Sequence, residues 1–125
     1  MKILIVQLAR LGDIYISWPI ARALKRKHTN AEIHFLVRDK FHRALVGLEA
    51  CDKCLVFKTQ DVIEKAIENP DDPTIELAQQ LDIIKNEDYD LIINLTFSPV
   101  SSFMCYYLQS LKTKVLGYTR NIDSS

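Results

Sequence analysis

The chain has 125 residues, of which 48% are hydrophobic and 26% charged, and its 16 Lys and Arg balance its 16 Asp and Glu. A chain of this length forms one ordinary domain with a buried core. No apolar run reaches the roughly 18 to 20 residues that span a bilayer, and three cysteines give no complete disulfide framework. A membrane-spanning protein and a disulfide-held module are therefore excluded.

The first predicted elements are a strand and a helix joined by a tight turn. The run Ile3-Leu4-Ile5-Val6 predicts a strand over Lys2–Leu8. A helix follows over Ile14–Lys27, because apolar residues recur there at steps of three and four: Ile16, Ile20, Ala23 and Leu24. Pro19 lies inside this helix and should kink or restart it, since proline removes an amide donor and clashes with the preceding turn.

The remaining elements alternate between strand and helix. They are a strand over Glu32–Arg38, a helix capped by Asp39 and reaching about Glu49, a strand over Lys53–Phe57, a helix over Asp61–Glu68, a loop over 69–73, a helix over Ile75–Asn86 capped by Thr74, a strand over Tyr89–Leu95, a helix over Val100–Leu111 and a strand over Lys114–Tyr118. This alternation predicts an α/β, Rossmann-like three-layer sandwich with a mostly parallel sheet of about five strands in the order 3-2-1-4-5. We expect residues 1–120 to form this domain and residues 121–125 to be a polar tail.

The turn after the first strand is the first candidate site, because ligands bind at the carboxyl ends of the strands in open α/β sheets. Gly12 lets the backbone come close to a ligand, and free amides at the start of the helix can hold an anion. Asp13 is either a charged carboxylate that accepts a proton from a substrate hydroxyl or simply the cap of the helix. The dinucleotide fingerprint Gly-x-Gly-x-x-Gly is absent, which disfavours an NAD enzyme.

The loop after the fourth predicted strand ends at the same edge of the sheet. Asn94, Thr96 and Ser98 carry amide and hydroxyl groups that can hydrogen-bond sugar hydroxyls, although Ser98 equally suits capping of the next helix. Arg10 can pair with a carboxylate or phosphate as a bidentate fork, or it is an ordinary surface arginine.

Several segments resemble the ADP-heptose:lipopolysaccharide heptosyltransferases of glycosyltransferase family 9. They are Met1-Lys2-Ile3-Leu4-Ile5-Val6, Leu11-Gly12-Asp13 with Pro19, Ala31–Val37, Tyr89–Leu95 and Val115–Tyr118. The resemblance implies the amino-terminal, acceptor-side half of a GT-B fold, in which two Rossmann-like domains face each other across a cleft. It aligns Asp13 with the proposed catalytic base and Ser17 with a usual Thr or Ser. The chain departs from the family at Asn94, where many members have Asp.

The resemblance implies an inverting, metal-independent transfer of heptose or a related sugar from a nucleotide-sugar to a lipopolysaccharide-type acceptor. We expect the carboxy-terminal nucleotide-sugar domain of that fold to be absent here and the chain alone to be inactive. Its expected partners are the acceptor and, through that domain, the donor, with peripheral contact with the inner membrane and no cofactor. We expect a cytoplasmic location, because we find no signal sequence. The alternative is a non-enzymatic Rossmann-like module that binds a small anion or serves as an interaction module.

The charges are distributed unevenly along the chain. Residues 1–58 hold 11 Lys and Arg against 5 Asp and Glu, whereas residues 59–90 hold 2 against 10. The basic part either attracts an anionic acceptor or phosphate or forms ordinary solvated helix faces. Nucleic acid is not an expected partner, because aromatic residues are not interleaved with the basic ones.

Overall fold

The fold is a five-stranded parallel sheet covered by helices on both faces, as predicted. The computed structural model describes residues 1–96 and 98–117. The strands are β1 (Lys2–Val6), β2 (Glu32–Arg38), β3 (Lys53–Phe57), β4 (Leu91–Asn94) and β5 (Lys114–Gly117). They pair in the order β3-β2-β1-β4-β5, and every pairing is parallel. The predicted order and the predicted bounds of β2 and β3 are confirmed, while β1 and β4 are shorter than predicted.

The helices lie close to their predicted positions. They are α1 (Leu11–Lys27), α2 (Thr59–Glu68), α3 (Ile75–Lys85) and α4 (Pro99–Leu108). In α4 the predicted cap is confirmed, because Ser98 Oγ accepts a hydrogen bond from the amide of Ser101 at 3.1 Å. Tyr118 and the predicted tail 121–125, and with them the end of the predicted domain, lie outside the described residues.

The helix predicted after β2 is replaced by a shorter element. A 3₁₀ helix spans Asp39–Leu45, and Asp39 is its first residue rather than a side-chain cap. The chain leaves helical geometry before Glu49 because Gly47 has a φ of +91°, a left-handed conformation that an α-helix does not accept.

Two apolar cores lie on opposite faces of the sheet, because successive side chains of a strand point to opposite faces. Ile3 and Ile5 of β1 belong to the core under α1 and the 3₁₀ helix. Leu4 and Val6 belong to the core under α3 and α4. Since both faces are covered, the inner strands have continuous apolar sequences rather than alternating ones.

Most of the apolar residues whose spacing predicts α1 lie on its outer side. Ile16 is 72% exposed and Ile20 37% exposed, and Ala23 is exposed as well. The residues that face the sheet are Ile14, Ser17 and Ala21. Apolar residues lie on both sides of this helix, so their spacing alone could not select the inner one. The helix also continues through the exposed Pro19 without restarting.

Candidate functional site

The loops that follow β1 and β4 start side by side at the carboxyl edge of the sheet. The amide of Leu95 donates to the carbonyl of Val6 at 2.9 Å, which extends the pairing of the two strands by one residue. Across β1, the amide of Gln7 donates to the carbonyl of Leu36 at 3.0 Å. The two predicted site segments therefore lie next to each other, as expected from the strand order.

Asp13 lies exposed in the first turn of α1. One of its carboxylate oxygens accepts a hydrogen bond from the amide of Arg10 at 3.3 Å, so the carboxylate closes the start of its own helix and still faces solvent. Within residues 1–96 and 98–117, the amides of Leu11 and Gly12 have no hydrogen-bond partner. A Cβ added to Gly12 would meet nothing within 4 Å. The turn thus has an open surface on which two backbone amides can donate hydrogen bonds to a ligand, next to the Asp13 carboxylate.

A buried polar network, which the sequence did not predict, holds this turn against the loop after β4. Gln7 is 4% exposed. Its amide nitrogen donates to Ser17 Oγ at 3.2 Å, and its carbonyl oxygen accepts from Thr96 Oγ1 at 3.2 Å. Thr96 Oγ1 also accepts from the amide of Leu8 at 2.7 Å. The signal that could have revealed Gln7 is its position, a polar residue directly after an apolar strand.

The loop after β4 is held by its own polar groups. The Asn94 side chain is fully buried and accepts from the amide of Thr96 at 3.1 Å. Ser101 Oγ donates to the carbonyl of Thr96 at 2.8 Å and so ties the loop to α4. Gly117, at the end of β5, packs directly on Asn94, since a Cβ added there would lie 2.2 Å from the Asn94 carbonyl oxygen.

The seven predicted site residues therefore fall into two groups. Arg10, Gly12 and Asp13 are exposed, and Ser98 is half-buried. Ser17, Asn94 and Thr96 are buried and are bonded within the protein. The first group can contact a ligand directly in this conformation. The second group fixes the loops that carry the first, and direct contact of its members with a substrate stays a prediction.

A second polar cluster lies at the opposite, amino-terminal edge of the sheet. His34 is fully buried on β2, with Nδ1 2.7 Å from the Tyr89 hydroxyl and Nε2 against the Glu32 carboxylate. Burial, with the Glu87 and Glu32 carboxylates nearby, raises the pKa of Tyr89, so its phenol keeps its proton. Each ring nitrogen of His34 therefore has one hydrogen-bond partner. The sequence predicts no catalytic role for His28, His34 and His42, because no spacing joins them. Tyr89 lies 55 residues from His34 along the chain.

Glu87 completes this cluster. Its carboxylate lies 2.9 Å from Lys53 Nζ and 3.0 Å from Lys2 Nζ, and these hydrogen bonds lower its pKa to about 2. Ligand atoms of Glu32, His34 and Glu87 lie within 4.8 Å of one another, a spacing that can hold a cation. A cation there would have to displace both lysines from Glu87, so we interpret the cluster as an internally satisfied structural one.

No protein-family model and no curated protein matches this chain. Solved structures do match it. A family 9 glycosyltransferase from Veillonella parvula has 16% sequence identity and a TM-score of 0.69, over 90% of this chain and 30% of its own. Heptosyltransferase WaaC of E. coli, solved with ADP, has 16% identity and a TM-score of 0.71, over 86% of this chain and 33% of its own. This chain has the fold of the amino-terminal region of these glycosyltransferase structures.

The match covers only part of those proteins. E. coli heptosyltransferase II has 15% identity and a TM-score of 0.67, over 92% of this chain and 30% of its own. The chain thus spans about a third of the length of the structures that it matches, in their amino-terminal region. The resemblance seen in the sequence is confirmed at the level of the fold.

Each helix among the described residues is too short or too polar to span a bilayer.

Proposed function

We propose that this chain is the acceptor-side domain of an inverting glycosyltransferase that acts in the cytoplasm. The enzyme transfers heptose or a related sugar from a nucleotide-sugar to a lipopolysaccharide-type acceptor. The observation that carries the proposal is the exposed Asp13 carboxylate at the carboxyl edge of a sheet with the heptosyltransferase fold. WaaC itself has been solved with ADP and with ADP-2-deoxy-2-fluoro heptose, which supports a nucleotide-sugar as the donor.

In this proposal Asp13 is the general base. It accepts the proton of the attacking acceptor hydroxyl while that oxygen bonds to the anomeric carbon. The bond to the nucleotide diphosphate breaks on the opposite face of the sugar, so the configuration inverts. The electron pair leaves with the diphosphate, and no metal or cofactor takes part.

The surroundings of Asp13 suit an acceptor that carries phosphate or carboxylate groups. The free amides of Leu11 and Gly12 sit at the positive end of a 17-residue helix, where anions are stabilised. Arg10 adds a guanidinium that pairs well with such groups. The buried network of Gln7 fixes this turn, so a base on it is held in place rather than on a free loop.

The base assignment is tested by Asp13→Asn in an enzyme that carries this chain together with a nucleotide-sugar domain. Removing a general base costs about 10²- to 10⁴-fold in rate, while the exposed position leaves the fold intact. Asp61→Asn is the matched control, because Asp61 lies in the first turn of α2 on the other face of the sheet. Sugar transfer at the normal rate by the Asp13 variant would refute the assignment.

Ligand binding by the 125-residue chain alone distinguishes this function from that of a non-enzymatic anion-binding module. We expect the chain to bind anionic acceptor saccharides weakly and nucleotide-sugars very little, because most donor contacts belong to the other domain. Calorimetric titration with ADP, a nucleotide-sugar and a phosphorylated saccharide measures these affinities. Tight nucleotide binding by the chain alone would favour the non-enzymatic module.

A further inference from the structure

Gln7 joins three parts of the domain at the edge of the sheet where Asp13 lies. Its backbone amide donates to the Leu36 carbonyl of β2 at 3.0 Å, so the residue is anchored to the centre of the sheet. Its side chain is buried between α1 and the loop after β4. Buried amide groups form hydrogen bonds in folded proteins, and the two ends of this amide bond to different elements.

The backbone groups around the Gln7 side chain fix the direction of its hydrogen bonds. The Ala9 amide can only donate, so the atom that lies 3.2 Å from it is the oxygen of Gln7. The side-chain nitrogen of Gln7 therefore donates to Ser17 Oγ at 3.2 Å. The Ser17 hydroxyl in turn donates its own proton to the carbonyl oxygen of Asp13 at 2.9 Å.

The oxygen of Gln7 extends this chain of hydrogen bonds to the loop after β4. Thr96 Oγ1 accepts from the Leu8 amide at 2.7 Å and donates to the Gln7 oxygen at 3.2 Å. Side-chain hydrogen bonds thus run without a break from Thr96 through Gln7 and Ser17 to the backbone of Asp13. All three of these side chains are buried, so water does not compete for their hydrogen bonds.

We propose that Gln7 is a positioning residue that acts through Ser17 and holds Asp13 in place for proton transfer. The inference rests on the proposed function, in which Asp13 is the general base. The Asp13 carboxylate faces solvent and accepts from the Arg10 amide at 3.3 Å, which is a long contact for fixing a catalytic group. Its backbone is held from the buried side of the turn instead.

The link from Ser17 to the sheet is what Gln7 adds. A serine in a helix often donates to the carbonyl four residues earlier, but that bond lies within α1 and does not connect the helix to a strand. Gln7 supplies the connection, because it is itself anchored to β2. A misplacement of a catalytic group by about 1 Å can cost about 10²-fold in rate. Loss of the Gln7 side chain should therefore slow the chemical step, although every group that faces the substrate remains.

The kinetics of Gln7→Met test the proposal in an enzyme that carries this chain together with a nucleotide-sugar domain. Methionine has nearly the length of glutamine, but its thioether donates no hydrogen bond. We expect kcat to fall about 10- to 100-fold, while KM for the acceptor stays within about twofold, as for a group that acts on the transition state. Tyr89→Phe is the matched control, because it removes a buried hydrogen bond to His34 at the opposite edge of the sheet. It should leave kcat unchanged when both variants are assayed at a temperature where circular dichroism shows them folded.

Ser17→Ala breaks the same chain of hydrogen bonds at its next link and adds no bulk to the core. If Gln7 acts through Ser17, the double variant should be about as slow as the slower single variant, because either change interrupts the chain. A loss equal to the product of the two single losses would overturn the inference. A raised acceptor KM with unchanged kcat in the Ser17 variant would also overturn it, since Ser17 would then bind substrate.

Hydrogen exchange of the 125-residue chain gives a second measurement that requires no catalysis. The Ile14 amide donates to the Arg10 carbonyl at 3.2 Å in the turn that carries Asp13, so its exchange rate reports the opening of that turn. Gln7→Met should raise this rate about fivefold or more, as expected for the loss of a buried hydrogen bond, and Tyr89→Phe should not. An exchange rate equal to that of the parent chain would overturn the inference.

The positioning role and the proposed function fail in different experiments. Normal transfer by Asp13→Asn would refute the proposed function. Normal kcat in Gln7→Met, beside an inactive Asp13→Asn, would refute only the positioning role and leave the general base standing.

Discussion

Replacement of Gly117 by alanine should destabilise the domain strongly, although the change adds only one methyl group. Gly117 has a φ of +88°, a conformation that costs an L-residue about 1–2 kcal/mol. The new Cβ would lie 2.2 Å from the carbonyl oxygen of Asn94 and 3.1 Å from its carbonyl carbon. These are backbone atoms of β4, so no side-chain rotation relieves the contact and the two strands must separate.

The separation adds to the conformational cost. Gly117 is the register partner of Asn94 at the end of the β4–β5 pairing, and each backbone hydrogen bond lost there costs about 1 kcal/mol. If one or two such bonds are lost, the expected loss is about 2–4 kcal/mol of the free energy of unfolding. This is a large part of the 5–15 kcal/mol typical of a domain.

Gly12→Ala is the matched control for this prediction. A Cβ at Gly12 meets nothing within 4 Å, and the residue is already helical. Because glycine in a helix is up to about 1 kcal/mol worse than alanine, Gly12→Ala should be neutral or slightly stabilising. Urea unfolding followed by far-ultraviolet circular dichroism compares the two variants with the parent chain. Equal midpoints for the Gly117 variant and the parent, or an equal loss in both variants, would refute the reasoning.

Two further predictions concern the polar groups at the two edges of the sheet. Gln7→Leu should lower the free energy of unfolding by about 2–3 kcal/mol. The change removes the Gln7 oxygen that accepts a hydrogen bond from the Ala9 amide at 3.2 Å, and it breaks the two buried side-chain hydrogen bonds to Ser17 and Thr96. A urea midpoint equal to that of the parent chain would contradict this prediction. Glu87→Gln should cost about 1 kcal/mol at pH 7 and should also change the response to acid. The pKa of Glu87 is lowered to about 2, so its ion pairs stabilise the fold above the unfolded pKa of about 4.3, and this contribution is lost as the pH falls through about 2. Urea midpoints measured from pH 7 to 2 should therefore fall more steeply for the parent chain than for the Glu87 variant, and parallel curves would contradict this.

The strands and their order could be predicted because their signal is local. A sheet covered on both faces requires continuous apolar runs, and such runs mark β2 and β3 to the residue. The chain alternates strand and helix, so right-handed parallel connections leave few possible orders. The exposed position of Asp13 follows from the same logic, since the chain turns at the carboxyl end of β1.

The buried side of α1 could not be predicted, because the helix has two apolar faces and periodicity does not distinguish them. Ser17 faces the sheet, since its hydroxyl donates to the Asp13 carbonyl at 2.9 Å and accepts from Gln7. Ile16 faces solvent instead.

The amino-acid sequence by itself determined the elements, the parallel sheet and the edge at which the candidate site lies, because these depend on apolar runs and turn residues close together along the chain. Only the tertiary structure decided which polar groups meet: Gln7 with Thr96, His34 with Tyr89, and Gly117 with the carbonyl of Asn94. These partners are separated by 89 and 55 residues in the first two cases. Contacts of that kind are set by strand register and crossover geometry, which no local pattern encodes.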